Sequence, residues 1–287
     1  MSQVLRLKQW NWSIGEGEPL AYMLGLNVIE DEALALETAQ ELKRITKELK
    51  TKFIFKASFD KANRSSIKSF RGAGLEKGLK ILQAVKEKEN LPAITDIHEP
   101  EQSEAIARVA DIMQIPAFLC RQTDLVVAAA RAVEKKDALL HVKKGQFLAP
   151  WDVKNILSKI KEAAPSRDLT ILCERGVSFG YNNLIVDMLG FSEMKKFGAP
   201  ITIDATHAVQ LPGAGKGNGG ANTATGGRRE GVEIIAAASV AAGAHGVFLE
   251  FHPNPDKAKC DGPSCLPLSD AHRVLKKLEA IHHAARA

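Results

Sequence analysis

Eight short apolar runs recur along the 287-residue chain and are separated by amphipathic stretches. Their spacing of roughly 25 to 35 residues is typical of repeated βα units. The runs are residues 22–26, 53–55, 93–97, 112–115, 139–142, 169–173, 201–205 and 246–251. We therefore predict an α/β fold in which residues 1–287 form a single (β/α)8 TIM barrel, since one barrel commonly takes this length.

An open doubly wound sheet is the competing architecture. That fold places a G-x-G-x-x-G fingerprint in an early strand-to-helix turn, and none occurs there. The Gly-rich tract at 211–227 comes late and contains no G-K-S/T element. Its composition predicts a lid loop over the barrel mouth, with a disordered excursion as the alternative. Residues 1–20 precede the first barrel strand, and we expect them to form a short hairpin that caps the bottom of the barrel.

Charge and composition exclude several classes of function. The net charge of +5 is modest and spread along the chain, so we expect no nucleic-acid partner. No apolar run has the length to span a membrane, and no signal-like apolar segment occurs near residue 1. The four cysteines form no C-x-x-C pair, so we expect reduced thiols and a cytoplasmic location, with no membrane contact.

Chemically active side chains lie at or just past the carboxyl ends of the apolar runs. They are Asn27, Lys56, Asp96, Gln114, Lys143, Glu174 with Arg175, Asp204 with His207, and Glu250. The carboxyl ends of barrel strands meet on one face, where barrel enzymes build their active sites. Ordinary loop polarity is the alternative, but it predicts Gly, Asn, Asp and Ser, whereas many of these residues are Lys, Arg, Glu and His. We therefore predict a site on that face.

The segment from residue 55 to 71 carries five cations and one acid. Lys56 follows a buried apolar run, so it should lie at the mouth of a strand and not on open surface. Lys61 and Arg64 would join it, and small hydroxyl and amide residues between them donate well to phosphate oxygens. The segment predicts a site for doubly charged anions, with a solvated basic loop as the alternative.

Seven ordered motifs carry a resemblance to a known family. They are K-A-S-F-D-K-A-N-R-S-S, I-T-D-I-H-E, Q-I-P-A-F-L-C-R-Q-T-D, V-K-K-G-Q-F, C-E-R-G, D-A-T-H and C-D-G-P-S, at 56–66, 94–99, 114–124, 142–147, 173–176, 204–207 and 260–264. Together they resemble the 3-deoxy-D-manno-octulosonate 8-phosphate synthases. The resemblance implies a transferase that condenses phosphoenolpyruvate with D-arabinose 5-phosphate and water, and releases phosphate. It further implies a homotetramer and a role in lipopolysaccharide biosynthesis.

The resemblance also assigns roles to individual residues. Phosphoenolpyruvate would be surrounded by Lys56, Ser58, Lys61, Gln114, Ala117, Lys143 and Arg175. The sugar phosphate would bind Asn63, Arg64 and Ser65, with Arg64 donated by a neighbouring subunit in one interpretation. The catalytic set would be Asn27, Lys61, Asp96, His207, Glu250 and Asp261.

His207, Glu250 and Asp261 are also a plausible metal-ligand set. In the metal-requiring branch of the family a cysteine on the first strand completes it, and this chain has Asn27 there. We therefore predict a metal-independent enzyme without a cofactor, in which Asn27 and Asp261 hold the sugar and His207 transfers a proton or orients a reactant.

Two of these residues have purely structural alternatives. The structural alternative for Glu250 is that it only forms a hydrogen bond with His207 inside the barrel. Asp96 is expected to orient nearby lysines, and its alternative is to cap the helix that follows.

Two rival functions stay open from the sequence. A related synthase that uses erythrose 4-phosphate would carry a K-P-R-T type segment, where this chain has K-A-N-R-S, and a cysteine in place of Asn27. A non-catalytic sugar-phosphate sensor would keep the anion site without the reaction.

Overall fold

The computed structural model describes residues 3–64, 66–217 and 220–286, with the backbone alone for 216, 217 and 220–224. Its strands in chain order are β1 (Leu5–Leu7), β2 (Trp12–Ile14), β3 (Ala21–Val28), β4 (Phe53–Ser58), β5 (Ala93–Asp96), β6 (Ile112–Ile115), β7 (Leu139–Lys143), β8 (Thr170–Glu174), β9 (Val177–Ser178), β10 (Leu184–Ile185), β11 (Ile201–Asp204), β12 (Gln210–Gly217), β13 (Gly220–Gly227), β14 (Gly246–His252) and β15 (Leu266–Pro267).

Eight parallel strands close into a barrel, which confirms the predicted fold. They are β3 to β8, β11 and β14, and each pairs with the next in that order. The barrel closes because β14 pairs with β11 on one side and with β3 on the other. Every residue in these strands is buried, which explains why they appear in the sequence as continuous apolar runs.

Helices alternate with the barrel strands, and the longer ones cover the outside of the barrel. They are α1 (Glu32–Glu48), α2 (Leu75–Glu89), α3 (Ser103–Ala107), α4 (Thr123–Lys135), α5 (Val153–Ala163), α6 (Leu189–Lys195), α7 (Ala205–Ala208), α8 (Val232–Ala241) and α9 (Ala271–Ala284). In α1, Asp31 accepts from the backbone N–H of Leu34 at 2.8 Å and so caps the first turn. No helix in the described ranges is both long and apolar enough to cross a bilayer.

The amino-terminal segment forms the predicted hairpin. Strands β1 and β2 pair antiparallel, with Leu5 opposite Ile14. Trp10 Nε1 donates to Asp111 Oδ1 at 2.8 Å, immediately before β6 begins. The backbone N–H of Gln3 donates to Gly198 O, just upstream of β11. The hairpin therefore packs against the amino-terminal ends of the barrel strands, opposite the face that carries the site.

The Gly-rich tract differs from the predicted loop. Where it is described, it forms an antiparallel pair, β12 and β13, in which Gln210 lies opposite Gly227 and the register shifts twice further out. The Asn182 amide, between β9 and β10, donates to Pro212 O at 2.5 Å and ties the pair to the neighbouring loop. Backbone pairing satisfies the peptide groups without any alternating apolar pattern, so composition alone could not indicate strands. The lid role stays a prediction.

Candidate active site

The carboxyl-terminal ends of the barrel strands open into a cavity of about 1030 Å³. Ten of the predicted site residues line it: Lys61, Asn63, Arg64, Asp96, Gln114, Ala117, Lys143, Arg175, His207 and Asp261. Four others lie buried behind its wall, namely Asn27, Lys56, Ser58 and Glu250. Ser65 lies outside the described residues.

Arg175 and Lys143 place two cations deep in this cavity. Arg175, 5% exposed, donates from Nη2 to Gln210 Oε1 at 3.1 Å, and its buried Nη1 has no partner among the described residues. Lys143 Nζ lies 2.5 Å from Asp204 Oδ2 and 4.0 Å from the centre of the Phe248 ring. A buried guanidinium nitrogen without a partner is unusual in a folded protein, and an anionic ligand is one explanation for it.

Lys61 and Asp96 form a second charged group at the wall. Lys61 Nζ donates to Ser58 Oγ at 2.9 Å. Burial disfavours its charged form, but Asp96, Glu250 and Asp261 outweigh burial and raise the pKa of Lys61. Burial likewise opposes ionisation of Asp96, yet Lys61 leads the cations that hold the pKa of that carboxyl below its usual range. Both groups are therefore charged at neutral pH.

Asp96 does not cap the helix that follows it. The next helical turn begins at Pro100, with Glu99 at its N-cap position. Asp96 Oδ2 instead lies 3.5 Å from His98 Nε2, and His98 lines the cavity. This placement leaves the orienting role of Asp96 as the interpretation that fits the structure.

Lys56 differs most from its predicted place. Its ammonium is 1% exposed, lies 2.5 Å from Glu250 Oε1, and donates to the carbonyls of Leu26 and Asn27 at 3.1 and 2.8 Å. It does not line the cavity. Burial lowers the pKa of Lys56 from 10.5 to about 8, although Glu250 opposes this shift. In this structure Lys56 compensates a buried carboxylate and does not face an anion site.

Glu250 is held by Lys56 and Asn27. Its Oε2 accepts from Asn27 Nδ2 at 2.6 Å, whereas His207 Nε2 lies 3.7 Å away, beyond hydrogen-bond distance. The alternative in which Glu250 simply bonds His207 is therefore wrong for this structure. Burial alone would raise the pKa of Glu250. The Lys56 ammonium, together with His207 and Lys61, outweighs burial and lowers this pKa from 4.5 to about 2.

The low pKa of Glu250 predicts an acid-sensitive contribution to stability. The folded state holds this proton less tightly than the unfolded chain, so the contribution is complete above about pH 4.5 and is lost as pH falls through 2. The shift corresponds to roughly 3 kcal/mol. Glu250→Gln should therefore flatten the fall in unfolding free energy across this range, and should lower it at pH 7 because Lys56 loses its carboxylate.

Urea denaturation at a series of pH values measures both effects. Glu101→Gln, which changes an exposed carboxylate, is the control and should leave both unchanged. If the unfolding free energy of Glu250→Gln falls with decreasing pH as steeply as that of the unchanged protein, Glu250 is not the source of the acid sensitivity.

His207 is oriented by Asp204. Asp204 caps the short helix α7 by accepting from the backbone N–H of His207 at 2.9 Å, and its carboxylate lies 2.8 Å from Nδ1 of the same residue. Burial opposes ionisation, but His207 and Lys143 hold the pKa of Asp204 well below its usual range. The ring thus presents Nε2 toward Asp261 and Glu250, each 3.7 Å away. A histidine fixed through one nitrogen leaves the other for chemistry.

Asp261 brings the last loop into the site. It adopts a left-handed conformation with φ 49°, and its Oδ2 accepts from Asn27 Nδ2 at 3.1 Å. Arg64 of the same chain lies 3.9 Å from Asp261 Oδ1 and contacts Cys260 Sγ at 2.6 Å. Burial raises the pKa of Cys260 to about 12, and the negative charge of Asp261 adds to the shift, so this thiol stays protonated. Arg64 therefore reaches the cavity of its own chain.

Several lining residues were not predicted from the sequence. Gln146, Gln210 and Arg229 all line the cavity, and Arg229 Nη2 donates to Gly262 O at 2.8 Å. His98 also lines it, although its I-T-D-I-H-E motif was recognised. His98, Gln146 and Gln210 come within a few residues of the carboxyl ends of barrel strands, so their position in the sequence could have indicated them. Arg229 lies beyond the Gly-rich hairpin, and its position does not indicate a site residue.

The fold and the site together define the class of the protein as a barrel enzyme with several cations in the cavity at the carboxyl ends of its strands. A family model described as the DAHP synthetase I family matches residues 3–286, and the chain belongs to that family. The protein of Geobacter metallireducens named 2-dehydro-3-deoxyphosphooctonate aldolase is 53% identical over 271 residues, covering 94% of this chain and 95% of its own. Its namesakes from Hahella chejuensis and Pseudomonas putida are 51% and 50% identical, each over at least 91% of both chains. The resemblance found in the motifs is confirmed.

Proposed function

We propose that the chain condenses phosphoenolpyruvate with D-arabinose 5-phosphate and water to give 3-deoxy-D-manno-octulosonate 8-phosphate and inorganic phosphate. The observation that supports this most directly is that Arg175, Lys143 and Lys61 line one cavity, where a buried guanidinium nitrogen of Arg175 has no partner among the described residues. The names of the relatives agree, because each describes a 3-deoxy-2-keto eight-carbon acid phosphate. In this role the chain works in the cytoplasm and supplies lipopolysaccharide biosynthesis.

Phosphoenolpyruvate occupies the deep end of the cavity in this proposal. Its carboxylate and phosphate bear close to three negative charges, which Arg175, Lys143 and Lys61 neutralise, while Gln114 and the backbone at Ala117 bound the same region. Lys56 does not contact the substrate in this proposal. It pairs with Glu250, and Glu250 in turn accepts a hydrogen bond from Asn27. Fixed cations favour departure of the phosphate without reorganisation during the reaction.

The sugar phosphate occupies the outer end. Arg64 and Asn63 bind its phosphate, with Ser65 assigned from the sequence alone, and Asn27 and Asp261 hold its hydroxyls and aldehyde. The methylene carbon of phosphoenolpyruvate attacks the aldehyde carbon, and the aldehyde oxygen takes a proton. Water then adds to the enol carbon, and the phosphohemiketal loses phosphate as its C–O bond breaks. His207 is the proton-transfer group, and β12–β13 is the lid that excludes bulk water.

A phosphate-release assay with each sugar phosphate tests the function. Phosphate should appear with phosphoenolpyruvate and arabinose 5-phosphate together, and only slowly with erythrose 4-phosphate. Comparable turnover of erythrose 4-phosphate would establish the rival synthase instead. Tight binding of both ligands without phosphate release would establish a sensor.

Metal independence is a separate prediction. Asn27 Nδ2 donates to both Glu250 and Asp261, and a neutral amide is a poorer ligand than a thiolate for a borderline divalent ion. Activity should therefore survive exhaustive treatment with EDTA and dipicolinate, followed by assay in metal-free buffer. Loss of activity that added Mn²⁺, Zn²⁺ or Fe²⁺ restores would show that the enzyme needs a metal.

We also propose a homotetramer. Large aromatic side chains are exposed on the segments that follow the neighbouring strands β6, β7 and β8: Phe118 (52%), Phe147 (59%), Trp151 (61%) and Phe179 (63%). Exposed apolar surface of this kind usually marks an interface, and the sequence resemblance names a second copy as the partner. Sedimentation equilibrium should give four times the mass of one chain, and a monomer at micromolar concentration would contradict this.

A further inference from the structure

Two consecutive lysines at the end of β7 point in different directions. Lys143 lines the cavity, whereas Lys144 is 1% exposed and does not. Lys144 Nζ lies 3.5 Å from Glu174 Oε2 and donates to Leu148 O at 3.2 Å. A buried lysine away from the substrate cavity needs an explanation, because its burial costs several kcal/mol of hydration.

Glu174, the partner of Lys144, shapes the turn that presents Arg175. Its Oε1 accepts from the backbone N–H of Arg175 at 2.9 Å and of Gly176 at 2.6 Å. Gly176 has φ 85°, which allows the chain to turn sharply just after β8. The side chain of Glu174 thus fixes the backbone from which the guanidinium extends into the cavity.

The charges around Glu174 explain why Lys144 is needed. Glu174 faces Lys144 just after β7, lies beside Cys173 and Arg175 in its own strand and turn, and places its Oε2 close to Gly190 of α6. Asp204 on β11 is a second carboxylate that acts on Arg175. The charge of Glu174 also acts on Arg175, the group that the cavity needs, so without Lys144 the Glu174 carboxylate would compete for that guanidinium.

We propose that Lys144 is a positioning residue: by pairing with Glu174, it leaves the Arg175 guanidinium free to bind the anionic substrate. Lys144 touches no substrate in this arrangement and acts only through Glu174. The inference rests on the proposed function, since it takes phosphoenolpyruvate to be the anion at Arg175.

Lys144→Met tests it, because methionine keeps most of the side-chain volume and removes the charge. The Kd of phosphoenolpyruvate by calorimetry, and its KM, should rise roughly tenfold to a hundredfold through displacement of Arg175, with a smaller change in KM for the sugar phosphate. In Lys144→Met with Glu174→Gln, the glutamine oxygen still accepts both backbone N–H groups and no charge is left unpaired. Binding should return to within a few-fold of the unchanged protein.

Comparing the two substrates separates positioning from general structural damage. Displacement of Arg175 should weaken phosphoenolpyruvate binding much more than sugar-phosphate binding, whereas general damage should weaken both to a similar extent. A similar loss for both substrates in Lys144→Met that the double variant does not restore would overturn the proposal.

Lys86→Met is the matched control. The Lys86 side chain is 13% exposed and pairs with Asp111 at 2.8 Å, and Asp111 lies at the amino-terminal end of β6, on the face opposite the site. Lys86→Met should lower stability and leave phosphoenolpyruvate binding unchanged.

If Lys144→Met binds phosphoenolpyruvate as the unchanged protein does, the positioning role is wrong while the proposed reaction stands. Binding without turnover in the unchanged protein would refute the reaction and leave the positioning role intact. If Lys144→Met does not fold, the double variant decides, since weak binding by a folded double variant would overturn the charge argument.

Discussion

Replacing Arg175 by lysine is expected to lower kcat/KM for phosphoenolpyruvate by roughly two to three orders of magnitude. Arg175 donates from one terminal nitrogen to Gln210, and its other terminal nitrogen is buried without a partner in the part of the chain that the structure describes. A lysine ammonium is a single point and cannot hold Gln210 and a substrate oxygen in the same fixed geometry. The positive charge is conserved, so a large loss would show that the planar group itself matters. Steady-state phosphate release at varied phosphoenolpyruvate measures the effect.

Arg167→Lys is the control for Arg175→Lys. Arg167 is partly buried and donates to the carbonyls of Val133 and Ala138, and Ala138 immediately precedes β7 at the other end of the barrel. Its replacement should leave kcat/KM within about twofold. Equal and small effects of the two replacements would remove Arg175 from the anion site.

The barrel was predictable because its signal is local. Each strand is buried on both faces, so each appears as an uninterrupted apolar run, and the polar residue that follows marks the carboxyl end. The antiparallel pair β12–β13 was not predictable, because Gly-rich strands carry no alternation of apolar and polar residues. Its order depends on contacts such as that of Asn182 with Pro212, which composition does not encode.

The sequence indicated which residues lie at the site, but not the direction in which each side chain points. Lys56 and Lys143 both follow apolar runs and look equivalent in the sequence. They diverge because Glu250 on β14, 194 residues beyond Lys56, meets the first of them inside the barrel, whereas the second faces the cavity beside Asp204. Lys143 and Lys144 differ for the same reason, since Glu174 on the neighbouring strand binds only one of them. Lys56 and Lys143 are both paired, so the position of each partner carboxylate, and not pairing itself, decides which cation lines the cavity and which lies behind its wall.

His207 provides the second large expected effect, and two amide replacements divide its possible roles. Asparagine can place its amide near Nδ1 and keep the contact with Asp204, whereas glutamine can reach the position of Nε2. If His207 transfers a proton, neither amide can do so, and both variants should lose roughly 10²- to 10⁴-fold in kcat. The KM values of both substrates should change much less, because the anion-binding residues are untouched.

An orienting role for His207 predicts a different pattern. A histidine that only donates one hydrogen bond can be replaced by the amide that keeps that bond, so His207→Gln would retain kcat within about tenfold. Thermal unfolding of both variants shows whether Asp204, still paired with Lys143 at 2.5 Å, keeps the local structure intact. Unequal losses with unchanged melting temperatures would therefore identify His207 as a hydrogen-bond donor, and equal large losses would identify it as the proton-transfer group, since only the imidazole ring offers a titratable nitrogen at that position.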